Sequence, residues 1–295
     1  MGNDKSFEQI ATHVSMVSII GNLILSLFKF IAGIVANSGA MISDAVHSSS
    51  DVISSVIVII GVRISAKESD REHPYGHERM ECVASIILSV ILAVTGLFIA
   101  WEAILKISSG NYNKLSVPGY LALIAAVVSI IAKEGMYQYT RVYAKRIDSL
   151  ALMADAWHHR SDALSSIGAL IGIGGAIIGF KVLEPVASIV ICVFILKAAY
   201  DIFLDSIDKM VDHSCDEDTE KEIYDEIMKV EGVIRIDMLQ TRIFGSKIYV
   251  DVEIAADGNK KLIETHQIAE NVHNNLEERF PKIKHIMVHV NPAEQ

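Results

Sequence analysis

Apolar residues gather in six long blocks along the chain up to about residue 203. The blocks cover about residues 14–35, 40–64, 81–104, 120–139, 150–180 and 183–203. Each block is about as long as a helix that crosses the hydrocarbon core of a bilayer. Turn-rich segments such as ANSGAM and SSGNYNKLSVPG separate some of them. The pattern predicts an α-helical membrane protein with six transmembrane helices.

The pattern changes after about residue 208 to that of a small soluble domain. An acidic amphipathic helix, two strands that meet at Gly245, a second helix and a closing strand follow one another, namely DEDTEKEIYDEIMKVEG, VIRIDMLQTRIF, SKIYVDVEIAA, NKKLIETHQIAENVHNNLEERF and KIKHIMVHVNP. The order α-β-β-α-β predicts a small α+β domain with its helices on one face of a sheet. We therefore expect two domains, residues 1–208 and 209–295.

Composition and charge agree with this division. The 295 residues are 51% hydrophobic and carry a net charge of −10, and the mean hydropathy is +0.37. Most of the negative charge lies after residue 208, which argues against nucleic acid as a partner. Lysine and arginine near the span ends are concentrated on the side of the N-terminus, at Lys5, Arg63, Lys67, Arg71, Arg79, Arg141, Lys145 and Arg146, against Lys106, Lys114 and Lys181 on the other side. The positive-inside rule then places both termini in the cytoplasm.

One polar motif occurs twice within the apolar blocks. Residues 43–55 read SDAVHSSSDVISS and residues 154–166 read ADAWHHRSDALSS, and seven of the thirteen aligned positions are identical. At helical spacing each copy places three ionisable side chains on one face. The two sets are Asp44, His47 and Asp51, and Asp155, His158 and Asp162.

These residue types favour a metal site inside the membrane. Ionisable side chains at membrane depth are costly and persist where they face a bundle interior or a cavity. Together, two imidazoles and two carboxylates suit a tetrahedral divalent cation, Zn²⁺ first, with Fe²⁺, Co²⁺, Cd²⁺ and Mn²⁺ as alternatives. The four predicted ligands are His47, Asp51, His158 and Asp162. A single copy could equally make a helix-packing hydrogen bond, but the repeat, with no basic partner on either face, favours the metal.

Asp44 and Asp155 lie one turn from the histidines and admit three interpretations. They orient the imidazoles, widen a proton pathway, or bond a neighbouring helix.

Two further groups of candidate ligands lie outside the spans. Asp70, His73 and His77 flank a Pro-Tyr-Gly turn and either bind one cation or are ordinary loop residues. Asp237, Asp251, His266, His285 and His289 of the second domain form either a metal cluster or a merely histidine-bearing surface.

The chain resembles the cation diffusion facilitator family over essentially its whole length. The residues that carry the resemblance are DAVHSSSD, DAWHHRSD, HPYGHERME and ERFPKIKHIMVHVNP. The resemblance implies a homodimeric antiporter, not an enzyme, that exports divalent metal from the cytoplasm in exchange for protons. It implies a transport domain followed by a cytosolic, metallochaperone-like domain that senses metal or dimerises. The bacterial plasma membrane is the expected location.

Carried over by position, the resemblance assigns roles to individual residues. His47, Asp51, His158 and Asp162 become the transport site, and Asp70, His73 and His77 a regulatory site in a cytosolic loop. Asp251, His266 and His289, with Asp237 as a further ligand, become a cluster at the dimer interface, and Arg79 and Asp212 a charge pair that locks the dimer. The chain departs from zinc exporters at Asp237 and Asp251, which are often His, and at Asn291, where a carboxylate is common.

Two other functions compete with transport. A membrane-embedded metal-dependent enzyme would need an H-E-x-x-H helix or a D-G/A-R carboxylate motif, and the sequence contains neither. A membrane metal sensor would bind the same cation and change conformation without moving it. Flux therefore separates the sensor from the transporter.

Overall fold

The computed structural model describes residues 2–35, 45, 48–49, 51–109, 120–177 and 183–293. They form two compact units, Met1–Ser206 and Ile207–Gln295. The helices of the N-terminal part are α1 (Gly2–Val35), α2 (Val52–Ser65), α3 (Met80–Ser109), α4 (Tyr120–Ile147), α5 (Leu150–Ile177) and α6 (Leu183–Met210). Each overlaps one predicted span, so the helical transmembrane domain is confirmed.

Polar and apolar residues are distributed in the N-terminal unit as a bilayer requires. Large apolar side chains such as Leu27, Phe98 and Phe194 are exposed, whereas serine, asparagine and charged side chains are buried between the helices. By length and composition alone, two helices of the described residues, Phe7–Ala32 and Met80–Ser109, qualify as membrane spans. An apolar exterior around a polar interior suits lipid outside and ion chemistry inside.

Helix α1 contributes a buried row of polar residues, which we call the α1 polar stripe: Ser15, Ser18, Asn22, Ser26 and Lys29. The stripe contacts α4 and Ala45, because Ser18 Oγ lies 3.4 Å from Thr140 Oγ1 of α4 and Ser26 Oγ donates to the Ala45 carbonyl at 2.7 Å. Within the described residues, Ser15 Oγ and both amide atoms of Asn22 have no hydrogen-bond partner. Buried groups of this kind are normally satisfied by ordered water.

Helices α2 and α3 approach each other at Gly61. A β-carbon added there would clash with the β-carbon of Ala84, so only glycine permits this separation. Around the contact, buried apolar residues fill the space, among them Val58, Val62, Leu88 and Leu92. The close packing fixes the position of α2, which begins directly after Asp51.

The C-terminal unit consists of α7 (Glu217–Met228), β1 (Arg235–Phe244), β2 (Lys247–Asp257), α8 (Leu262–Arg279) and β3 (Ile283–Ala293). The sheet order is β1-β2-β3, with β1 antiparallel and β3 parallel to β2. Gly245 makes the tight β1–β2 turn with φ 64°. Both helices pack into one apolar cluster with Val250, Val252 and Ile254. The predicted α-β-β-α-β domain with helices on one face is confirmed.

Candidate metal centre

Three of the four predicted ligands meet inside the helix bundle. Asp51 precedes α2, and His158 and Asp162 lie one turn apart on α5. One ligand atom from each lies within 4.8 Å of the others, and all three residues are buried, with 3%, 8% and 8% exposure. The fourth, His47, and its neighbour Asp44 lie outside the described residues. The structure thus brings one carboxylate of the first motif together with an imidazole and a carboxylate of the second, and the four-ligand metal site stays a prediction.

A cation already lies among these side chains, and the sequence reasoning did not assign it there. The Nζ atom of Lys133 on α4 lies 2.5 Å from Asp51 Oδ2 and 2.8 Å from Asp162 Oδ2. His158 Nε2 lies 3.5 Å from Asp51 Oδ1, the other oxygen of that carboxylate. Neither motif face carries a basic residue as a partner, but a third helix supplies one. The only signal in the sequence is a lysine within an apolar span.

Asp155 makes the contacts of the third interpretation, a hydrogen bond to a neighbouring helix. Ser54 Oγ of α2 donates to Asp155 Oδ1 at 2.9 Å, and Ser55 Oγ donates to Asp155 Oδ2 at 3.2 Å. The carboxylate is fully buried. These bonds tie α5 to α2 one helical turn from the candidate ligand His158.

His159 is a second residue that the sequence reasoning left without a role. It is fully buried, and neither ring nitrogen makes a hydrogen bond to a described residue. Its Nε2 lies 3.6 Å from Asp155 Oδ2, and its ring centroid is 6.4 Å from that of His158. A buried, polar imidazole beside the candidate ligands adds to the polar character of this part of the bundle.

The loop between α2 and α3 also brings its three candidate ligands together. His73 Nδ1 and His77 Nε2 lie 3.3 and 3.4 Å from the Asp70 carboxylate, and one ligand atom of each residue lies within 4.8 Å of the others. The backbone N–H of His73, then that of Glu72 and the His73 ring, lower the pKa of Asp70. The carboxylate is therefore ionised at neutral pH. This group, in which Asp70 and His73 are exposed and His77 is half-buried, has the geometry of the one-cation interpretation.

The candidate ligands of the C-terminal unit do not converge within one chain. In the register of the sheet, His285 lies beside Tyr249 and His289 beside Glu253, and Asp251 lies beside Met287. His266 is on α8, with its side chain 70% exposed and 3.4 Å from Glu270. Among the described residues, the two groups of three candidate ligands lie in the bundle and in the loop. A shared metal cluster in this unit stays a prediction, one that a second chain would have to complete.

Asp237 is held by two neighbours on the sheet. Arg235 Nε donates to Asp237 Oδ1 at 2.6 Å, and Asn291 Nδ2 donates to Asp237 Oδ2 at 3.1 Å. These bonds, Arg235 first, lower the pKa of Asp237. Asn291 also donates to Glu253 Oε2 at 3.1 Å. The amide therefore joins two carboxylates.

The predicted charge pair has one member in each unit. Arg79 immediately precedes α3, and Asp212 follows α6 with a left-handed backbone, φ 64°. The dimer-locking role of the pair stays a prediction.

An apolar exterior around a buried cluster of carboxylates, imidazole and ammonium defines an integral membrane protein with a candidate cation site between its helices. Comparison with known families gives the class a name. The family model described as "Cation efflux transmembrane domain" matches residues 15–211, and "Cation efflux protein, cytoplasmic domain" matches residues 215–293. The chain belongs to the cation efflux, or cation diffusion facilitator, family of divalent metal transporters.

Curated relatives match nearly the full length of the chain. Manganese efflux system protein MneP of Bacillus subtilis (strain 168) is 33% identical over 97% of both chains. Manganese efflux system protein MneS of the same organism is 35% identical over 95% of both. Metal tolerance protein C1 of Arabidopsis thaliana is 34% identical over 91% of this chain and 60% of its own. A solved MamM CTD structure is 23% identical over 26% of this chain and 95% of its own, with a TM-score of 0.26.

Proposed function

We propose that the protein exports a divalent transition metal from the cytoplasm in exchange for protons, by alternating access at His47, Asp51, His158 and Asp162. The observation that carries the proposal is the buried convergence of Asp51, His158 and Asp162 between membrane-spanning helices. Metal ligands of these types must be deprotonated to bind. Protons and metal therefore compete for the same atoms, and this competition is what couples two opposed flows in an antiporter.

The choice of metal follows from the donor atoms. Two imidazoles with two carboxylates favour Zn²⁺ as the cargo. Mn²⁺ is a second candidate, because the names of MneP and MneS, two relatives that match nearly the whole chain, state manganese efflux. Oxygen donors suit Mn²⁺, and Asp51 and Asp162 supply them. The same residues therefore support either metal, and a competition measurement decides.

The remaining parts of the proposal concern placement and assembly. The excess of lysine and arginine on one side of the spans supports cytoplasmic termini in a bacterial plasma membrane. The match of the C-terminal unit to the cytoplasmic domain of the family supports a cytosolic location for that unit. We further propose a homodimer in which this unit dimerises and, through Asp237, Asp251, His266, His285 and His289, senses metal. The exposed loop of Asp70, His73 and His77 is proposed as a regulatory metal site.

Transport can be tested in inside-out vesicles with an acidic lumen. We expect Zn²⁺ or Mn²⁺ to accumulate in the lumen, and dissipation of the pH gradient to stop the accumulation. Asp162→Asn should abolish uptake, because it removes a charged ligand from the buried cluster. Asp201→Asn is the matched control, since Asp201 lies on α6 with its side chain 57% exposed and paired with Lys197. Binding without gradient-driven flux in the wild type would favour the sensor.

A further inference from the structure

Lys133 lies in the place that a metal ion would take. Its ammonium binds one oxygen from each of two carboxylates on two other segments, Asp51 Oδ2 and Asp162 Oδ2, and its side chain is only 2% exposed. The same two carboxylates belong to the group of candidate metal ligands. A lysine ammonium has three donors and no acceptor, so it cannot ligate a metal while it is charged.

The ammonium and a divalent cation exclude each other from this site. Both need the same carboxylate oxygens, and a divalent ion beside the ammonium would place three positive charges against two negative ones in a low-dielectric interior. The lysine stem is four carbons long and flexible, so the ammonium can withdraw without movement of the backbone. Binding of metal therefore requires that Lys133 leave, and departure of metal allows it to return.

Asn22 of the α1 polar stripe is the candidate acceptor for the withdrawn ammonium. Ser18 of α1 contacts Thr140 of α4, and a β-carbon at Gly21 would lie 3.2 Å from Met136 Sδ, so the two helices run side by side here. Asn22 follows Gly21 and is fully buried. Its carboxamide has no hydrogen-bond partner among the described residues. Met136 is one helical turn from Lys133, about 4.5 Å along the axis.

We propose that Lys133 is a tethered cation that occupies the transport site whenever metal is absent, so that cargo must displace it. The proposal rests on the proposed transport function. A carrier that returns without metal would otherwise carry each unprotonated carboxylate of the site through the membrane as an uncompensated charge, which is costly. Lys133 neutralises one of these charges during the return. It also weakens metal binding, and this weakening assists release on the far side.

The test compares equilibrium metal binding with two kinds of flux in the purified full-length chain, at one fixed pH. Lys133→Met keeps the length of the stem and removes the charge, and Lys133→Arg keeps a charge. Lys29→Met is the control, because Lys29 is another buried lysine of the bundle and donates to Ser48 Oγ. Binding is measured by competition of Zn²⁺ and of Mn²⁺ with a chromophoric chelator. Flux is measured in proteoliposomes as net efflux and as metal–metal exchange.

We expect Lys133→Met to bind metal at least about tenfold more tightly than the wild type, because a competing buried charge is gone. Net efflux should fall while metal–metal exchange is retained, since only net efflux includes the return of the empty carrier. Lys133→Arg should stay near the wild-type affinity. If Lys133→Met fails to fold, Lys133→Gln, which can still hydrogen-bond the carboxylates, replaces it with the same expectation.

Unchanged or weaker binding by the uncharged variant would overturn the tethered-cation role, and so would equal tightening in Lys29→Met. Exchange and net efflux that fall together would also overturn it. These outcomes differ from a failure of the transport proposal, in which the wild type itself shows no metal flux.

Discussion

Replacement of Gly61 by alanine tests whether the close contact of α2 and α3 positions the metal site. An added β-carbon would clash with the β-carbon of Ala84. Its other neighbours, Met80 O and Ala84 Cα, lie at the ordinary distances of 3.7 and 3.8 Å. Because each clashing atom is fixed to a helical backbone, rotamer changes cannot relieve the overlap. The two helices must move apart, and α2 carries Asp51 at its start.

The magnitude follows from a comparison with Gly135→Ala on α4, where nothing lies within 4 Å of the added atom. Both substitutions gain about 0.8–1.0 kcal/mol of helix propensity. Gly61→Ala alone adds an overpacking cost of about 1–3 kcal/mol. The difference between the two variants is therefore about 1–3 kcal/mol, or about 2–12 °C in melting temperature for a unit of this size.

The assay is thermal unfolding of the purified full-length variants by intrinsic fluorescence, together with metal flux. Gly61→Ala should melt below Gly135→Ala and transport more slowly. Ala84→Gly in the Gly61→Ala background should restore both, because it removes the clashing partner. The reasoning is refuted if Gly61→Ala and Gly135→Ala have the same melting temperature, or if Ala84→Gly restores neither the melting temperature nor the metal flux of Gly61→Ala.

Two further predictions concern buried and exposed carboxylates. Loss of both hydroxyls in Ser54→Ala/Ser55→Ala should destabilise the bundle by about 1–3 kcal/mol, because an interhelical hydrogen bond in a membrane contributes about 0.6 kcal/mol on average and up to about 1.7 kcal/mol, and both hydroxyls bond the buried Asp155 carboxylate. The control is Ser65→Ala, which removes only a hydrogen bond to a carbonyl of its own helix at 2.9 Å. An equal shift in melting temperature in the control and in the double variant would contradict the prediction. Asp216 caps α7, and the backbone N–H of Thr219, then its hydroxyl, lower the pKa of Asp216 below 3.8. Asp216→Ala should therefore cost about 0.5–2 kcal/mol at neutral pH, measured by hydrogen exchange of the first turn of α7. The pKa of Asp216 is lower in the folded protein than in the unfolded chain, so the ionised cap stabilises α7 at neutral pH and this stabilisation is lost as the pH falls through the folded pKa. The stability difference between Asp216→Ala and the wild type should therefore vanish in acid. A stability difference that persists there would count against the cap.

The elements and the local groupings could be predicted from the sequence because they depend on short-range periodicity. His158 and Asp162 share a face of α5 by helical spacing, and Asp70 and His77 are joined by a turn of a few residues. The repeated motif further indicated that Asp51 would face α5. Each of these inferences needs only the geometry of one helix or one loop, or the assumption that two similar faces meet.

The contacts of Lys133 could not be predicted in the same way. Lys133 and Asp51 are 82 residues apart, and which face of α4 is turned towards Asp51 depends on the packing of the whole bundle. The same holds for Asp155, because its three interpretations differ in what the carboxylate contacts, and those contacts depend on the helix that lies opposite. In the C-terminal unit, strand alternation placed His285 and His289 on one sheet face, but His266 lies on a helix of the other layer. Tertiary arrangement, not local spacing, decides these cases.

The α1 polar stripe makes the surface of α1 suited to sliding. Where aliphatic side chains interlock, translation of one helix past another requires the chains to separate first. Hydroxyl groups such as Ser18 and Ser26 are small, and interhelical hydrogen bonds in membranes average about 0.6 kcal/mol. A hydroxyl that loses one acceptor can take the next along the partner helix or a water molecule. We therefore expect a shift of α1 along α2 and α4 to cost little energy while α2 and α5, beside the candidate metal ligands, stay joined through Asp155.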